Sequence, residues 1–140
     1  MLFCSNLYAY DIVRPNVKLT PGVVDRNATI EKICTPGYSR SVRNVSQKTK
    51  NQVFENYHIK KVADRYEMDH LISLELGGSN DIKNLWPQSY TTSPFNAYKK
   101  DHLENKLHDL VCADKITLEE AQRVIVEDWV KAYHDYVLQH

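Results

Sequence analysis

Residues Tyr66 to Asn96 read YEMDHLISLELGGSNDIKNLWPQSYTTSPFN. From Tyr66 to Leu76 the pattern alternates as a strand, with a break at Asp69-His70. Gly77-Gly78 supplies the turn, because glycine adopts backbone angles closed to other residues. Asn84-Leu85-Trp86-Pro87 then ends a second short strand, where Pro87, having no N–H, stops the ladder. Ser93-Pro94 reads as a helix start, Ser as cap and Pro in the first turn. Leu103, Leu107, Leu110 and Val111 follow at helical spacing. Thr117-x-x-Glu120 is a capping box. It opens a last helix from Leu118 toward Val137, with Leu118, Ala121, Val124, Ile125, Trp129, Ala132, Tyr133 and Tyr136 as its apolar face. A hairpin followed by two helices predicts an α+β domain.

Upstream, the chain is rich in loop signals. Residues 11–25 carry Pro15 and Pro21-Gly22. IEKIC (30–34) is a short element of either type, broken by Thr35-Pro36-Gly37, and YSRSVR (38–43) reads as a short strand or extended segment. Ser46 caps a helix over QKTKNQVFENYHI, with Val53, Phe54 and Tyr57 as its apolar face. The opening MLFCSNLYAYDI is apolar but has no basic start; it reads as a short strand or the tail of a leader.

The 140 residues suit one domain, 1–140. Hydrophobic residues make up 42% and no run is long enough to span a membrane, so a membrane partner is not expected. Eighteen acids balance eighteen bases, yet their distribution is uneven. Between Tyr38 and Glu67 lie Arg40, Arg43, Lys48, Lys50, Lys60, Lys61 and Arg65 against three acids, whereas from Asp101 onward nine acids face four bases. That asymmetry points to a polyanionic partner for the first half, or to a solvated helix face. Cys4, Cys34 and Cys112 contain no CxxC pair, which argues against a zinc knuckle. Cys34 and Cys112 either pair in an exported protein or remain small core residues.

The central stretch has the parts needed to cut a phosphodiester. Hydrolysis requires a base to take a proton from water, and a divalent cation stabilises the phosphate and the leaving oxygen. His70 has the near-neutral pKa of a general base. Asp69 offers a hard oxygen to an ion. Asn84 is placed to hydrogen-bond across the loop and hold His70. Asn96, in the first turn of the next helix, can bring an amide oxygen to the same ion. The plainer readings are a turn aspartate, a satisfied histidine and two capping asparagines; the co-occurrence at this spacing favours the site. His102 is a further ligand candidate, while His58, His134 and His140 have no assigned role and Trp86 reads as core.

These residues, DHLISLELGGSNDIKNLWPQ with NAYKKD twelve residues after Asn84, resemble the HNH nuclease family, the ββα-metal superfamily. They are similar in particular to small bacterial HNH-like proteins carrying DHLIPLELGG, NLWP and NA..KD, and the looser likeness extends from about Thr20 to Tyr133. The resemblance implies a ββα-metal hairpin-plus-helix core at about 64–112, a loop-rich N-terminal half and a C-terminal helix. It implies His70 as base, Asp69 as first metal ligand, Asn84 as the residue ordering the hairpin and Asn96 as the last ligand. One divalent ion is implied, Mg²⁺ or Mn²⁺ before Zn²⁺ or Ni²⁺, because the last ligand is Asn and not His. Ser73 stands where such relatives have proline. The implied activity is a metal-dependent endonuclease on double-stranded DNA, leaving a 5′ phosphate and a 3′ hydroxyl, with Arg40, Arg43, Lys60, Lys61, Lys99 and Lys100 as nucleic-acid contacts. The alternative is a catalytically inactive HNH-like module gripping nucleic acid or a protein partner; a protein inhibitor or toxin-associated partner is a third. The small relatives are often exported, so periplasm or secretion is favoured over cytoplasm.

Overall fold

The computed structural model describes residues 12–62 and 64–139. The opening apolar stretch with Cys4, and His140, lie outside them.

The quoted stretch folds into a two-stranded antiparallel sheet, β1 (Tyr66–His70) and β2 (Leu85–Ser89). In register, Tyr66 faces Ser89, Met68 faces Pro87 and His70 faces Leu85. Pro87 therefore lies inside the strand and does not end it. Ladder bonds from Tyr90 N to Arg65 O (3.1 Å) and from Leu71 N to Asn84 O (2.8 Å) fix the phase of pairing. That phase makes Met68–Pro87 a non-hydrogen-bonded pair, so the missing N–H of proline costs the ladder nothing.

The strands are not joined at a tight Gly77-Gly78 turn. Residues 71–84 leave the sheet as two 3₁₀ turns, Leu74–Leu76 and Ile82–Asn84. Gly77, at φ 79°, closes the first. Gly78 has no room for a side chain, since a Cβ there would sit 1.7 Å from the Ile72 carbonyl oxygen. Ser73 opens the turn at φ −61°, an angle proline also adopts. Buried Asn84 stitches the connection: its Nδ2 donates to Ile72 O (3.0 Å) and Ser79 O (2.8 Å). Its Oδ1 accepts from Ile72 N (3.0 Å) and Val23 N (3.3 Å).

Helices surround this hairpin. IEKI is helix α1 (Ile30–Ile33), capped by Thr29. The expected extended segment at Tyr38 is instead helix α2 (Tyr38–Val42), entered through Gly37 at φ 85°. Helix α3 (Gln47–Asn56) has the expected Ser46 cap and packs Phe54 edge-on to Tyr66 at 6.1 Å. Helix α4 (Ala97–Cys112) starts three residues later than Ser93-Pro94 suggested, capped by Asn96. Helix α5 (Leu118–Tyr133) is capped by Thr117 Oγ1. Glu120 does not complete the capping box; its carboxylate accepts from Tyr136. At Asp128 the backbone leaves helical angles, and its side chain recaps the chain by accepting from Val130 N and Lys131 N. A π-helical turn, His134–Leu138, follows.

Leu103, Leu107 and Val111 of α4 meet Leu118, Ala121, Ile125, Trp129 and Tyr133 of α5 in the core, with Ile33, Ile72 and Leu76 beneath. Each fully buried aliphatic side chain contributes about 1.5–3 kcal/mol. Cys34 and Cys112 form a disulfide (Cα–Cα 5.7 Å, 78 residues apart) that ties α1 to the end of α4. A crosslink of this kind stabilises by about 2–4 kcal/mol. Among the described residues no helix is long and apolar enough to cross a membrane.

Candidate functional site

Strand alternation splits the site across β1. Glu67 and Asp69 share one face with Trp86 and Gln88, and helix α4 covers it. Met68 and His70 share the other, toward α3.

On the α4 face, carboxylate oxygens of Glu67, Asp69 and Asp101 lie within 4.8 Å of one another. Asp69 is buried; its Oδ2 accepts from Trp86 Nε1 (2.7 Å) and from Lys100 Nζ (2.8 Å). Lys100 has no exposure at all. Its three N–H bonds are consumed by Asp69, the His70 carbonyl (3.0 Å) and Glu104. Burial works against the Lys100 charge, but the Asp69 and Glu104 carboxylates outweigh it and raise its pKa. Burial raises Glu104, opposed by Lys100.

Lys100 and Arg43 are the cations acting on Glu67 and Asp101, and burial together with the neighbouring carboxylates outweighs them. Burial first, then Asp69 and Asp101, push Glu67 up to about 7. Burial and Asp69 raise Asp101 as well. Glu67 Oε2 and Ser73 Oγ are buried with no hydrogen-bond partner, and both residues line a cavity of about 60 Å³ with Asp69, His70, Asp101 and Glu104. That volume is more than a single water needs and admits an ion with water. An all-oxygen donor set, with an orphaned carboxylate oxygen and an elevated Glu67, fits a hard divalent cation.

On the α3 face, buried His70 places Nε2 3.0 Å from Asn80 Oδ1. The Asn80 amide is oriented by its other bonds: Nδ2 donates to Val42 O (2.8 Å) and Oδ1 accepts from Asn44 N (3.3 Å). An acceptor thus faces the ring, which assigns the proton to Nε2 and leaves a lone pair on Nδ1. Burial lowers the His70 pKa, so the ring is neutral at pH 7.

The expected residues are distributed as follows. Asp69 and His70 sit at the centre, on opposite faces. Asn84 orders the connection between the strands, as expected, but its bonds run to Ile72, Ser79 and Val23; the residue touching His70 is Asn80. The Asn96 amide caps α4, accepting from Lys99 N (3.2 Å) and donating to Thr92 O (3.1 Å). The helix residue that joins Asp69 is Asp101, and the strand adds Glu67. Lys100, expected on phosphate, is fully enclosed and braces Asp69. Arg40, Arg43, Lys60, Lys61 and Lys99 are exposed, with Lys99 over the Tyr133 ring. His102 packs edge-on to Tyr133. Spacing could have found Glu67, two residues before Asp69 on the same strand face; nothing local marked Asn80.

Two expected results separate these assignments. Asp101→Asn should weaken Mn²⁺ binding at least tenfold, read by calorimetry. Asn96→Ala should leave Mn²⁺ affinity unchanged and cost about 1 kcal/mol of stability as a lost cap. The reverse pattern would restore Asn96 as the ligand.

A pH signature follows from Glu67. Its value rises from 4.5 to about 7 on folding. Between these limits the native state holds more proton than the unfolded chain, so metal-free stability falls as pH rises through the window. His70 has the opposite sign: its lowered value makes stability rise toward pH 6.5. In EDTA, Glu67→Gln should flatten the loss between pH 5 and 7.5 by on the order of 1 kcal/mol, discounted for solvent screening. Parallel wild-type and variant melting curves across that range would remove the argument.

Comparison with protein-family models, with curated proteins and with solved structures gave no match to this chain.

Proposed function

We propose that the chain is a metal-dependent endonuclease of the HNH type, hydrolysing phosphodiester bonds in DNA, with β1, β2 and α4 as its ββα-metal core. One observation carries the reading: His70, its Nε2 3.0 Å from Asn80 Oδ1, stands next to Asp69, whose carboxylate converges with Glu67 and Asp101. Glu67, Asp69 and Asp101 would hold a divalent ion, Mg²⁺ or Mn²⁺ by the hardness of the donors. Such an ion supplies charge stabilisation for the phosphate and the departing oxygen. His70 Nδ1 takes the proton of the attacking water. Asn80 keeps that nitrogen free by engaging the other. Lys100 and Trp86 fix the Asp69 rotamer, leaving Oδ1 as the oxygen without either bond.

Incubation with supercoiled plasmid tests the reading. Nicked and linear products should appear with Mg²⁺ or Mn²⁺ and vanish with EDTA. Unchanged plasmid under every divalent ion tried would reject it.

Lys100 favours a second reading. Its ammonium already neutralises Asp69 from inside the fold, as a bound cation would. An HNH-like module binding nucleic acid or a protein partner without catalysis is consistent with that. Binding with no metal uptake would select it.

A further inference from the structure

A second cavity adjoins the site on the α3 face. It encloses about 390 Å³ and is lined by Arg43, Asn44, Val45, Lys50, Met68 and His70. Arg43 and His70 line the acidic cavity too, so the two spaces meet at the β1 edge.

Arg43 acts through space on Glu67 and Asp101, opposing the rise of both carboxyls, but no carboxylate closes on either cation here. Arg43 is exposed at the end of α2, and neither it nor Lys50 has an ion-pair partner among the described residues. Lys50 lies three and four residues before Val53 and Phe54, which are buried. Helical spacing therefore turns it to the β1 side and not outward. The corner carrying Arg43 and Asn44 is pinned as well. Asn80 accepts from Asn44 N and donates to Val42 O while holding His70. One amide thus ties the backbone beside Arg43 to the histidine.

We propose that this cleft seats the phosphate backbone of a DNA strand, with Arg43 and Lys50 neutralising successive phosphates and the strand led across His70. Guanidinium and ammonium are the side chains that take phosphate, the first as a fork and the second as a point charge. The proposal names the substrate track of the nuclease reading and rests on nucleic acid being the substrate. Of the basic residues the charge pattern singles out, only Arg43 and Lys50 reach the cleft.

The test is equilibrium binding of a fluorescent 20-base-pair duplex in EDTA, measured against salt, so that cleavage plays no part. Each phosphate contact contributes about 0.9 to the slope of log affinity on log salt. Arg43→Ala with Lys50→Ala should lower that slope by about 2 and weaken binding at least tenfold. Lys18→Ala with Lys48→Ala, an equal loss of charge outside the cleft, should change it far less. Melting curves keep the comparison to folded protein. Equal slopes for the two double variants overturn the proposal even if plasmid is cut, and no duplex binding by wild type at low salt overturns it too. Binding through Arg43 and Lys50 by a protein that cuts nothing with any metal upholds it while the nuclease reading falls.

Discussion

His70→Ala should lower the rate of metal-dependent plasmid cleavage by about 10²–10⁴-fold, the usual worth of a positioned general base. The loss should fall mainly on the chemical step, with DNA binding changed far less because Arg43 and Lys50 remain. The reason is local: the ring makes one side-chain hydrogen bond, to Asn80, and its Nδ1 is the only unprotonated nitrogen it presents. Folding should survive, because the ring ties down no core element and Asp69 keeps its bonds to Trp86 and Lys100. Single-turnover cleavage with Mn²⁺ in excess gives the measurement. If His70→Ala cuts within threefold of wild type, His70 is not the base.

How much of this was readable beforehand depended on whether the signal was local. Asp69 and His70 stood out as adjacent residues whose chemistry needs no fold to recognise, and the Ser46 and Thr117 caps declared themselves by type and position. Asn84 was identifiable as a hairpin organiser, but its partners lie across a loop whose path spacing does not fix. An asparagine before a helix satisfies two descriptions, ligand and cap, and the structure shows Asn96 acting as the cap. The helix ligand candidate is Asp101, over one turn further on. Tyr38–Val42 is too short for its periodicity to distinguish strand from helix. Pro87 read as a stop because its ladder phase is a property of the pairing, not of the strand alone. Lys100 was the least legible. Lysine is almost never fully buried unless paired, and its partner Asp69 is thirty-one positions away, with only Glu104 nearby in sequence.

That lysine carries the second large effect. Lys100→Ala in EDTA should destabilise the fold by about 3–5 kcal/mol, the cost of leaving buried charge without its partner. Asp69 and Glu104 would then face each other in the core with no cation, and the His70 carbonyl would lose its donor. For a chain of this size the melting temperature should fall by on the order of 10 °C. Divalent ions make the result diagnostic. An ion held by Glu67, Asp69 and Asp101 lies next to the vacated position and restores positive charge there, so Mn²⁺ should raise the melting temperature of Lys100→Ala more than that of wild type. Both readings of the site share this expectation, but they differ over wild type itself. In a nuclease the ion binds beside Lys100, and wild type is stabilised by Mn²⁺ as well. In a module whose lysine replaces the ion, wild type is indifferent to Mn²⁺ and only Lys100→Ala acquires a response. A Lys100→Ala protein as stable as wild type in EDTA would show that the buried pairing contributes nothing, and both readings would lose the brace on Asp69.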